Sequence, residues 1–213
     1  MEIVHPEIEK YCEKHSSKES DLLQIVNRET HLELLMPRML SGHLQGRFLA
    51  MISKMIKPAC VLEIGTFTGY AALCLAEGLT EKGILYTVDV NEELAPRVLK
   101  YFAQHEKASQ LKYINGDALQ EIPKLQQKFD LVFIDADKKN YSAYFELVID
   151  KVNAGGYIIS DNVLWSGKVV EEAAKMDSDT INMLRYNEMI ANDSRVESVL
   201  MPLRDGLMIC RKL

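Results

Sequence analysis

The sequence predicts an α/β fold in which helices cover a mostly parallel β-sheet. Three observations support this prediction. Apolar strand-like runs alternate with helical patterns from Cys60 to Ser160, the first run stops in a glycine turn, and the rhythm breaks after Asp161. Alternation of this kind indicates parallel strands that are joined by right-handed crossovers.

The chain is expected to be a single domain, residues 1–213, because no repeat or low-complexity linker divides it. Residues 1–58 are predicted to form a helical cap, and residues 59–213 the α/β core. An apolar content of 47% and a charged content of 26% are ordinary for a globular protein. The net charge of −6 argues weakly against a general nucleic-acid binder.

The cysteines and the N-terminus predict a cytoplasmic protein. The four cysteines contain no C-x-x-C pair, so a disulfide framework is not expected and a reducing compartment fits. Residues 1–14 lack the basic start and the apolar centre of a signal peptide. No apolar run is long enough to cross a bilayer, so no membrane association is expected.

The predicted cap consists of three helices and no strand. They cover residues 6–15, 20–35 and 45–57, and residues 36–42 form a loop. The apolar side chains that the second helix is expected to bury are Leu22, Leu23, Ile25, Val26 and Leu32.

The predicted core alternates strands with helices and then ends in a hairpin. The five parallel strands are residues 61–64, 84–88, 111–114, 130–134 and 157–160. The helices between them cover residues 70–79, 92–105, a short piece after 116, and 141–152. A helix over residues 177–190 then precedes two hairpin strands, residues 196–200 and 207–210.

The glycine turn after the first strand has the form of a ligand-binding turn. Gly65 permits a tight turn and the close approach of a ligand, and Thr66 and Thr68 are candidates to cap the helix that starts near Gly69. The spacing G-x-x-x-G, preceded by Glu63, differs from the G-x-G-x-x-G of dinucleotide sites. An ordinary strand–helix turn without a ligand is the alternative.

An acidic residue lies at or close to the carboxyl end of each predicted parallel strand. These residues are Glu63, Asp89, Asp117, Asp135 and Asp161, which Asn162 follows. In this topology all of these ends meet at one edge of the sheet, where α/β folds bind ligands. Asp89 is placed to accept hydrogen bonds from ribose hydroxyls. The alternative for Asp89 is a solvated turn residue, and Gly-Asp at Asp117 also fits a turn or a helix N-cap.

Two of these strand ends together predict a metal site. Asp135, Asp161 and Asn162 offer hard oxygen ligands, which suit Mg²⁺ or Ca²⁺. Parallel neighbours lie about 4.8 Å apart, so both ends can reach one ion. The five histidines are scattered and indicate no zinc site. Two polar loop starts without a metal are the alternative.

With this glycine turn and these acidic strand ends, the chain resembles the cation-dependent class I O-methyltransferases, the group of catechol and caffeoyl-coenzyme A O-methyltransferases. The motifs that carry the resemblance are residues 62–70, 116–118, 133–138, 160–167 and 205–207. Asp-Ala-Asp-Lys from Asp135 and Asp-Asn-x-Leu-Trp-x-Gly from Asp161 are together highly specific. The resemblance extends from about Met36 to the C-terminal region.

The resemblance implies a seven-stranded Rossmann-like sheet, S-adenosylmethionine (SAM) as methyl donor, and a divalent cation held by Asp135, Asp161 and Asn162. It also implies that Lys138 is the catalytic lysine. The residues expected around SAM are Met39, Ser41, Glu63, Gly65, Tyr70, Asp89, Asp117, Ala118, Asp135 and Asp137.

The implied reaction is transfer of a methyl group to a hydroxyl of a catechol-like small molecule, by an enzyme expected to be a homodimer. A phenolic hydroxyl has a pKa near 10 and is a poor nucleophile at neutral pH. A cation would stabilise its anion, and Lys138 is expected to take the proton.

Two alternatives stay open. Some bacterial relatives in this family methylate a hydroxylated uridine of tRNA, and a noncatalytic nucleotide-binding module is the alternative from another class. The negative net charge and the family-typical segment of residues 42–46 favour a small-molecule acceptor. The intact metal triad together with Lys138 argues against a module without catalysis.

Overall fold

The computed structural model describes residues 4–172 and 176–213 and contains one seven-stranded sheet. The strands, in the spatial order β3-β2-β1-β4-β5-β7-β6, are parallel except for β7, which pairs antiparallel with β5 and β6. Their bounds are β1 Cys60–Ile64, β2 Ile84–Asp89, β3 Leu111–Asn115, β4 Phe129–Ile134, β5 Val152–Asp161, β6 Val196–Met201 and β7 Leu207–Lys212. The predicted mostly parallel sheet with a C-terminal hairpin is confirmed.

The described α-helices lie before and between these strands. Their bounds are α1 Pro6–Lys14, α2 Asp21–Glu33, α3 Gly42–Ile56, α4 Tyr70–Ala76, α5 Ala95–Phe102, α6 Ala118–Glu121, α7 Tyr141–Ile149 and α8 Ser178–Ala191. Residues 173–175, at the end of the predicted polar loop before α8, lie outside the described residues.

The sheet is buried on both faces, which explains why its strands read as continuous apolar runs. Successive side chains of a strand point to opposite faces, so Val61 and Leu62 belong to two different core clusters. One cluster contains side chains of α2–α5, and the other contains side chains of α6–α8. Helices therefore cover both faces, as predicted.

Several predicted boundaries were wrong because pairing and proline geometry override periodicity. The predicted helix 92–105 is α-helical only over Ala95–Phe102, since Pro96 fits only the first turn. The helix predicted over 141–152 ends at Ile149, because Val152 already pairs with Phe129 in the sheet. Strand β5 therefore starts before the glycine pair at 155–156, and that pair forms an irregularity inside the strand.

The cap helices bury a narrower stripe than the sequence indicated. Leu23 and Val26 of α2 are buried, as predicted. Ile25 and Leu32 are exposed, which corrects the predicted buried face, because α2 docks along one side only, against α4. The helix predicted to begin at Gln45 begins three residues earlier, at Gly42, so residues 42–46 are the first part of α3.

Candidate active site

A cavity of about 1300 Å³ opens at the carboxyl edge of the parallel strands. Its walls come from the ends of β1, β2, β4 and β5, from the segment before α3, and from the turn between β6 and β7. This is the position at which open α/β sheets bind ligands.

Most of the predicted site residues line this cavity. They are Met39, Ser41, Gly65, Tyr70, Asp89, Ala118, Asp135, Asp137, Lys138, Asp161 and Asn162. Glu63 and Asp117 are not among the lining residues. Asp117 instead caps α6, since its carboxylate accepts a hydrogen bond from the Leu119 amide at 2.9 Å. The N-cap alternative therefore describes Asp117.

Asp89 organises the glycine turn. One of its carboxylate oxygens, Oδ2, accepts hydrogen bonds from the Thr66 and Phe67 amides, each at 2.8 Å. The other, Oδ1, accepts one from the Asn91 amide at 2.9 Å. A solvated turn residue would lack these contacts, so Asp89 links the end of β2 to the turn after β1.

Gly65 is required by backbone packing. Its φ angle is +95°, and a Cβ there would lie 1.9 Å from the carbonyl oxygen of Asp135. The glycine therefore allows the end of β1 to lie directly against the end of β4. The sequence interpretation assigned this space to a ligand, and the structure fills it with the Asp135 backbone.

The two threonines of the turn do not cap α4, which corrects that prediction. Gly69 occupies the N-cap position, without a side-chain hydrogen bond. The Thr66 hydroxyl instead hydrogen-bonds with Thr87 at 2.5 Å, and the Thr68 hydroxyl accepts from Thr30 at 3.3 Å. Both side chains are buried, which draws them into the core rather than toward the helix end.

Glu63 lies inside the protein and not in the cavity. Its side chain is fully buried, Oε2 hydrogen-bonds with Thr87, and Oε1 has no hydrogen-bond partner among the described residues. Burial raises the pKa of Glu63 well above its ordinary value, and the Thr87 hydrogen bond opposes that shift. Glu63 is therefore linked to the turn through Thr87, whose hydroxyl also hydrogen-bonds with Thr66.

Tyr70 and Asp137 line the cavity, but each also has a partner within the protein. The Tyr70 hydroxyl donates to Glu19 in the segment between α1 and α2. The Asp137 carboxylate accepts from Tyr144 at 2.5 Å and from Asn140 at 2.7 Å. These contacts fix both side chains at the cavity wall.

Lys138 is buried at the base of the cavity, with 8% of its surface exposed. Its ammonium group donates to Asn162 Oδ1 at 2.6 Å, to the Tyr141 hydroxyl at 2.7 Å and to Asp135 Oδ1 at 3.3 Å. A lysine at an exposed loop start would lack these partners. The side chain turns inward and pairs with Asp135 rather than with Asp137.

Asp161 brings a second carboxylate to the same place. It is 2% exposed, and burial and then the charge of Asp135 raise its pKa. The Asp135 carboxylate is therefore close enough to disfavour the charged form of Asp161. Gln45 on α3 donates to Asp161 Oδ2 at 2.6 Å and partly offsets this effect.

Tyr141 supports the site as a neutral phenol. Burial, followed by the charges of Asp135 and Asp161, raises its pKa well above the ordinary value. Its hydroxyl donates to the Asp161 carbonyl oxygen at 3.0 Å and accepts from Lys138. Tyr141 thus remains protonated at neutral pH, which leaves Lys138 as the candidate base.

The loop after β5 adopts an unusual backbone. Asn162, Trp165 and Ser166 all have φ angles between 44° and 61°, in the left-handed region. Asp205, in the turn between β6 and β7, holds this loop: its carbonyl accepts from the Leu164 amide at 2.9 Å and its side chain accepts from the Ser166 amide. Strained backbone held in this way is typical of binding sites.

The donor set at the base of the cavity fits a hard divalent cation. Asp135 and Asn162 accept hydrogen bonds from the same ammonium group, so their Oδ1 atoms face a common cation. Asp161 adds a second carboxylate. No group of three His, Cys, Asp or Glu side chains suited to a metal is found within 4–172 and 176–213. The predicted ligands, Asp135, Asp161 and Asn162, do not form such a group, because Asn162 contributes an amide oxygen instead of a third carboxylate.

Three residues of the site were missed by sequence reasoning, namely Gln45, Tyr141 and Arg204. Arg204 donates to the carbonyl groups of Leu40, at 3.1 Å, and Ser41. The one available signal was Gln45, a polar residue four positions before Leu49 on the buried face of α3. Arg204 gave no signal, because its partners lie 159 to 164 positions away in the sequence. Tyr141 gave none because its role depends on the buried position of its hydroxyl between Lys138 and the Asp161 carbonyl, which packing decides.

Comparison with known proteins agrees with this architecture. The family model described as O-methyltransferase matches residues 13–213. Caffeoyl-CoA O-methyltransferase 1 of Nicotiana tabacum is 35% identical over 183 residues, which cover 79% of this chain and 75% of the relative. Caffeoyl-CoA O-methyltransferase 1 of Eucalyptus globulus is 35% identical over 182 residues, covering 79% and 73%.

Solved structures share the whole fold. A Podospora anserina methyltransferase bound to S-adenosylhomocysteine (SAH) superposes with a TM-score of 0.89 at 25% identity, covering 98% of this chain and 94% of the other. The O-methyltransferase of Bacillus cereus in complex with SAH gives a TM-score of 0.88 at 27% identity, covering 97% of each chain.

The seven-stranded sheet and the cavity at its carboxyl edge define a Rossmann-like methyltransferase. The chain belongs to the O-methyltransferase family. The predicted class, a SAM-dependent O-methyltransferase, is confirmed. None of the helices described here has both the length and the apolar character needed to cross a membrane.

Proposed function

We propose that this enzyme methylates a hydroxyl group of a catechol-like small molecule with the help of a divalent cation. The observation that carries the proposal is the buried ammonium of Lys138 between Asp135 and Asn162, beside the second carboxylate Asp161. A buried base next to oxygen ligands for a hard cation suits the deprotonation of a hydroxyl that has a neighbouring oxygen.

The methyl donor would occupy the part of the cavity between the glycine turn and α6. Asp89 is positioned to accept hydrogen bonds from ribose hydroxyls. Its carboxylate has about four acceptor positions, and the backbone amides of the protein occupy only three of them. Ala118 leaves room at the start of α6, and Met39 contributes an apolar wall. Binding of SAH by two proteins of the same fold supports SAM as the methyl donor.

Asp135, Asp161 and Asn162 would hold the cation. When bound, such a cation acts as a Lewis acid that lowers the cost of ionising the acceptor hydroxyl. Lys138 then serves as the base in its neutral form: it accepts the hydroxyl proton at Nζ, while Tyr141 and Asn162 keep Nζ in place. The acceptor oxygen attacks the methyl carbon of SAM, the carbon–sulfur bond breaks, and SAH leaves.

The acceptor would enter beside Trp165. The indole ring lies 5.7 Å from Lys138 Nζ and forms an aromatic wall next to the base. An aromatic ring that carries two neighbouring hydroxyls can pack against this wall while its oxygens reach the base of the cavity. Caffeoyl-CoA, named in several relatives, carries such a ring.

A screen of methyl transfer from labelled SAM tests this proposal. The acceptors are catechols, hydroxycinnamoyl thioesters, and bulk tRNA that lacks hydroxyuridine methylation, each assayed with Mg²⁺ and with EDTA. Matched monophenols are the control, because they lack the second oxygen. We expect Mg²⁺-dependent product from the vicinal diols alone. Methylation of tRNA alone, or equal turnover of monophenols, would overturn the assignment.

A further inference from the structure

Gln45 connects the N-terminal helices to the proposed cation site. It lies on α3 with a fully buried side chain, and its Nε2 atom donates to Asp161 Oδ2 at 2.6 Å, across 116 positions of sequence. The other oxygen of that carboxylate, Oδ1, accepts from the Asn162 amide at 2.7 Å. Both oxygens of Asp161 are thus oriented, one by its own neighbour in sequence and the other by a distant helix.

The amide of Gln45 has one possible orientation. Its Oε1 atom faces Arg204, whose Nη1 atom lies 3.4 Å away, and its Nε2 atom faces Asp161. A guanidinium only donates hydrogen bonds, so the amide oxygen must face Arg204 and the amide cannot be reversed. Arg204 is itself held by the carbonyl groups of Leu40 and Ser41 just before α3.

We propose that Gln45 is a positioning residue that orients the Asp161 carboxylate toward the divalent cation, an inference that rests on the cation site proposed above. A neutral amide suits this task, because it holds the carboxylate without cancelling its charge. Each carboxylate oxygen has about two lone-pair positions, so Oδ2 keeps one for a cation. A lysine or arginine at position 45 would instead compete with the cation for Asp161.

The same helix offers a matched control. Ser53 is also buried on α3 and also donates a hydrogen bond of 2.6 Å to the core, in this case to the Leu75 carbonyl. Neither Ser53 nor Leu75 lines the cavity. Ser53→Ala therefore removes a comparable contact between α3 and the core without touching Asp161.

The experiment titrates Mn²⁺ into the SAM-free protein and follows free Mn²⁺ by electron paramagnetic resonance. Loss of a side chain that orients a metal ligand costs affinity by about tenfold or more. We expect that loss in Gln45→Met and in Gln45→Asn, whose shorter amide cannot reach Asp161. Ser53→Ala should bind Mn²⁺ like the unsubstituted protein. SAM affinity, measured by isothermal titration calorimetry, should remain nearly constant in all three variants.

The outcomes separate this inference from the cation site itself. Unchanged Mn²⁺ affinity in both Gln45 variants would overturn the positioning role and leave the cation site intact. An equal loss in Ser53→Ala would assign the effect to docking of α3 and would also overturn the role. Absence of Mn²⁺ binding by the unsubstituted protein would overturn the cation site, and this inference with it. Circular dichroism identifies folded variants; if Gln45→Met does not fold, Gln45→Asn decides.

Discussion

Lys138 Nζ lies 2.6 Å from Asn162 Oδ1 and donates a hydrogen bond to it. The two residues follow different strands, β4 and β5, which are neighbours in the sheet. The proposed base and one proposed cation ligand therefore meet because two parallel strands end side by side.

Lys138→Met should lower turnover by roughly 10² or more while SAM affinity stays nearly constant, because the change removes the base and keeps the apolar stem. The loss should shrink for acceptors whose hydroxyl is already acidic. Lys124→Met, at an exposed lysine paired with Glu121, is the control and should retain full turnover. Equal losses across acceptors of different acidity would indicate positioning instead, and near-normal turnover would remove Lys138 from the mechanism.

Removal of divalent cations should abolish methyl transfer. Asp135, Asp161 and Asn162 supply only oxygen ligands, which bind Mg²⁺ or Ca²⁺ and release the ion to EDTA. Turnover should return when Mg²⁺ is added in excess. SAM binding, measured by calorimetry in EDTA, is the control and should persist, because Asp89 and the glycine turn do not depend on the cation. Full turnover in EDTA would exclude the proposed cation site.

Asp89→Ala should weaken SAM binding by about tenfold or more, since hydrogen bonds to a charged group contribute about 1.5–3 kcal/mol. Asp89→Asn should lose less, because its amide oxygen can still accept from Thr66 and Phe67. Asp150→Ala, an exposed aspartate just after α7, is the control. Calorimetric titration with SAM measures all three, and SAM affinity that is unaffected in Asp89→Ala would disprove the assignment.

Glu63→Gln should change how stability depends on pH. The folded state raises the pKa of Glu63, so it binds the proton more tightly than the unfolded state, whose carboxyl titrates near 4.5. The native state then holds more protons, and the free energy of unfolding falls as pH rises above that value. Urea unfolding from pH 5 to 8 should show a shallower decline for Glu63→Gln than for the wild type. Parallel curves would indicate that Glu63 is ionised in the fold.

We propose that the protein is a homodimer whose interface includes the N-terminal helical region. Exposed apolar side chains occur there, with Leu35 99% exposed, Met55 73% and Leu32 71%. A stable interface buries more than about 1,000 Å² in total, which such side chains favour. Light scattering at micromolar concentration should give a dimeric mass, and Leu32→Glu with Leu35→Glu should give a monomer. A monomeric wild type would contradict the proposal.

Local sequence patterns were sufficient for the order of the elements. The spacing of apolar residues reflects the periodicity of strands and helices, and both are properties of short segments. Once the strands are parallel, topology alone brings Asp89, Asp135 and Asp161 to one edge. The chain therefore predicted the sheet and the cavity edge, and most of the predicted site residues line the cavity.

Other features could not be read from local patterns. Glu63 lies one residue before the end of β1 and Asp135 directly follows β4, but Glu63 is buried in the core and Asp135 reaches the cavity. Residues that alternate along a strand look alike in sequence, and only the packing of helices on each face decides which environment each one meets. Exposure of Ile25 and Leu32 has the same cause, since docking of α2 selects one stripe of an apolar helix.

Sequence patterns alone were enough to establish the fold class and the cluster of acidic residues at the carboxyl edge of the sheet, because both follow from periodicity and from strand order. Only the tertiary structure decided which side chains hold that edge in place. Gln45 meets Asp161 across 116 positions, and Arg204 meets Ser41 across 163. These long-range contacts form only when the N-terminal helices and the final hairpin pack at the same edge of the sheet. No local sequence pattern specifies that packing.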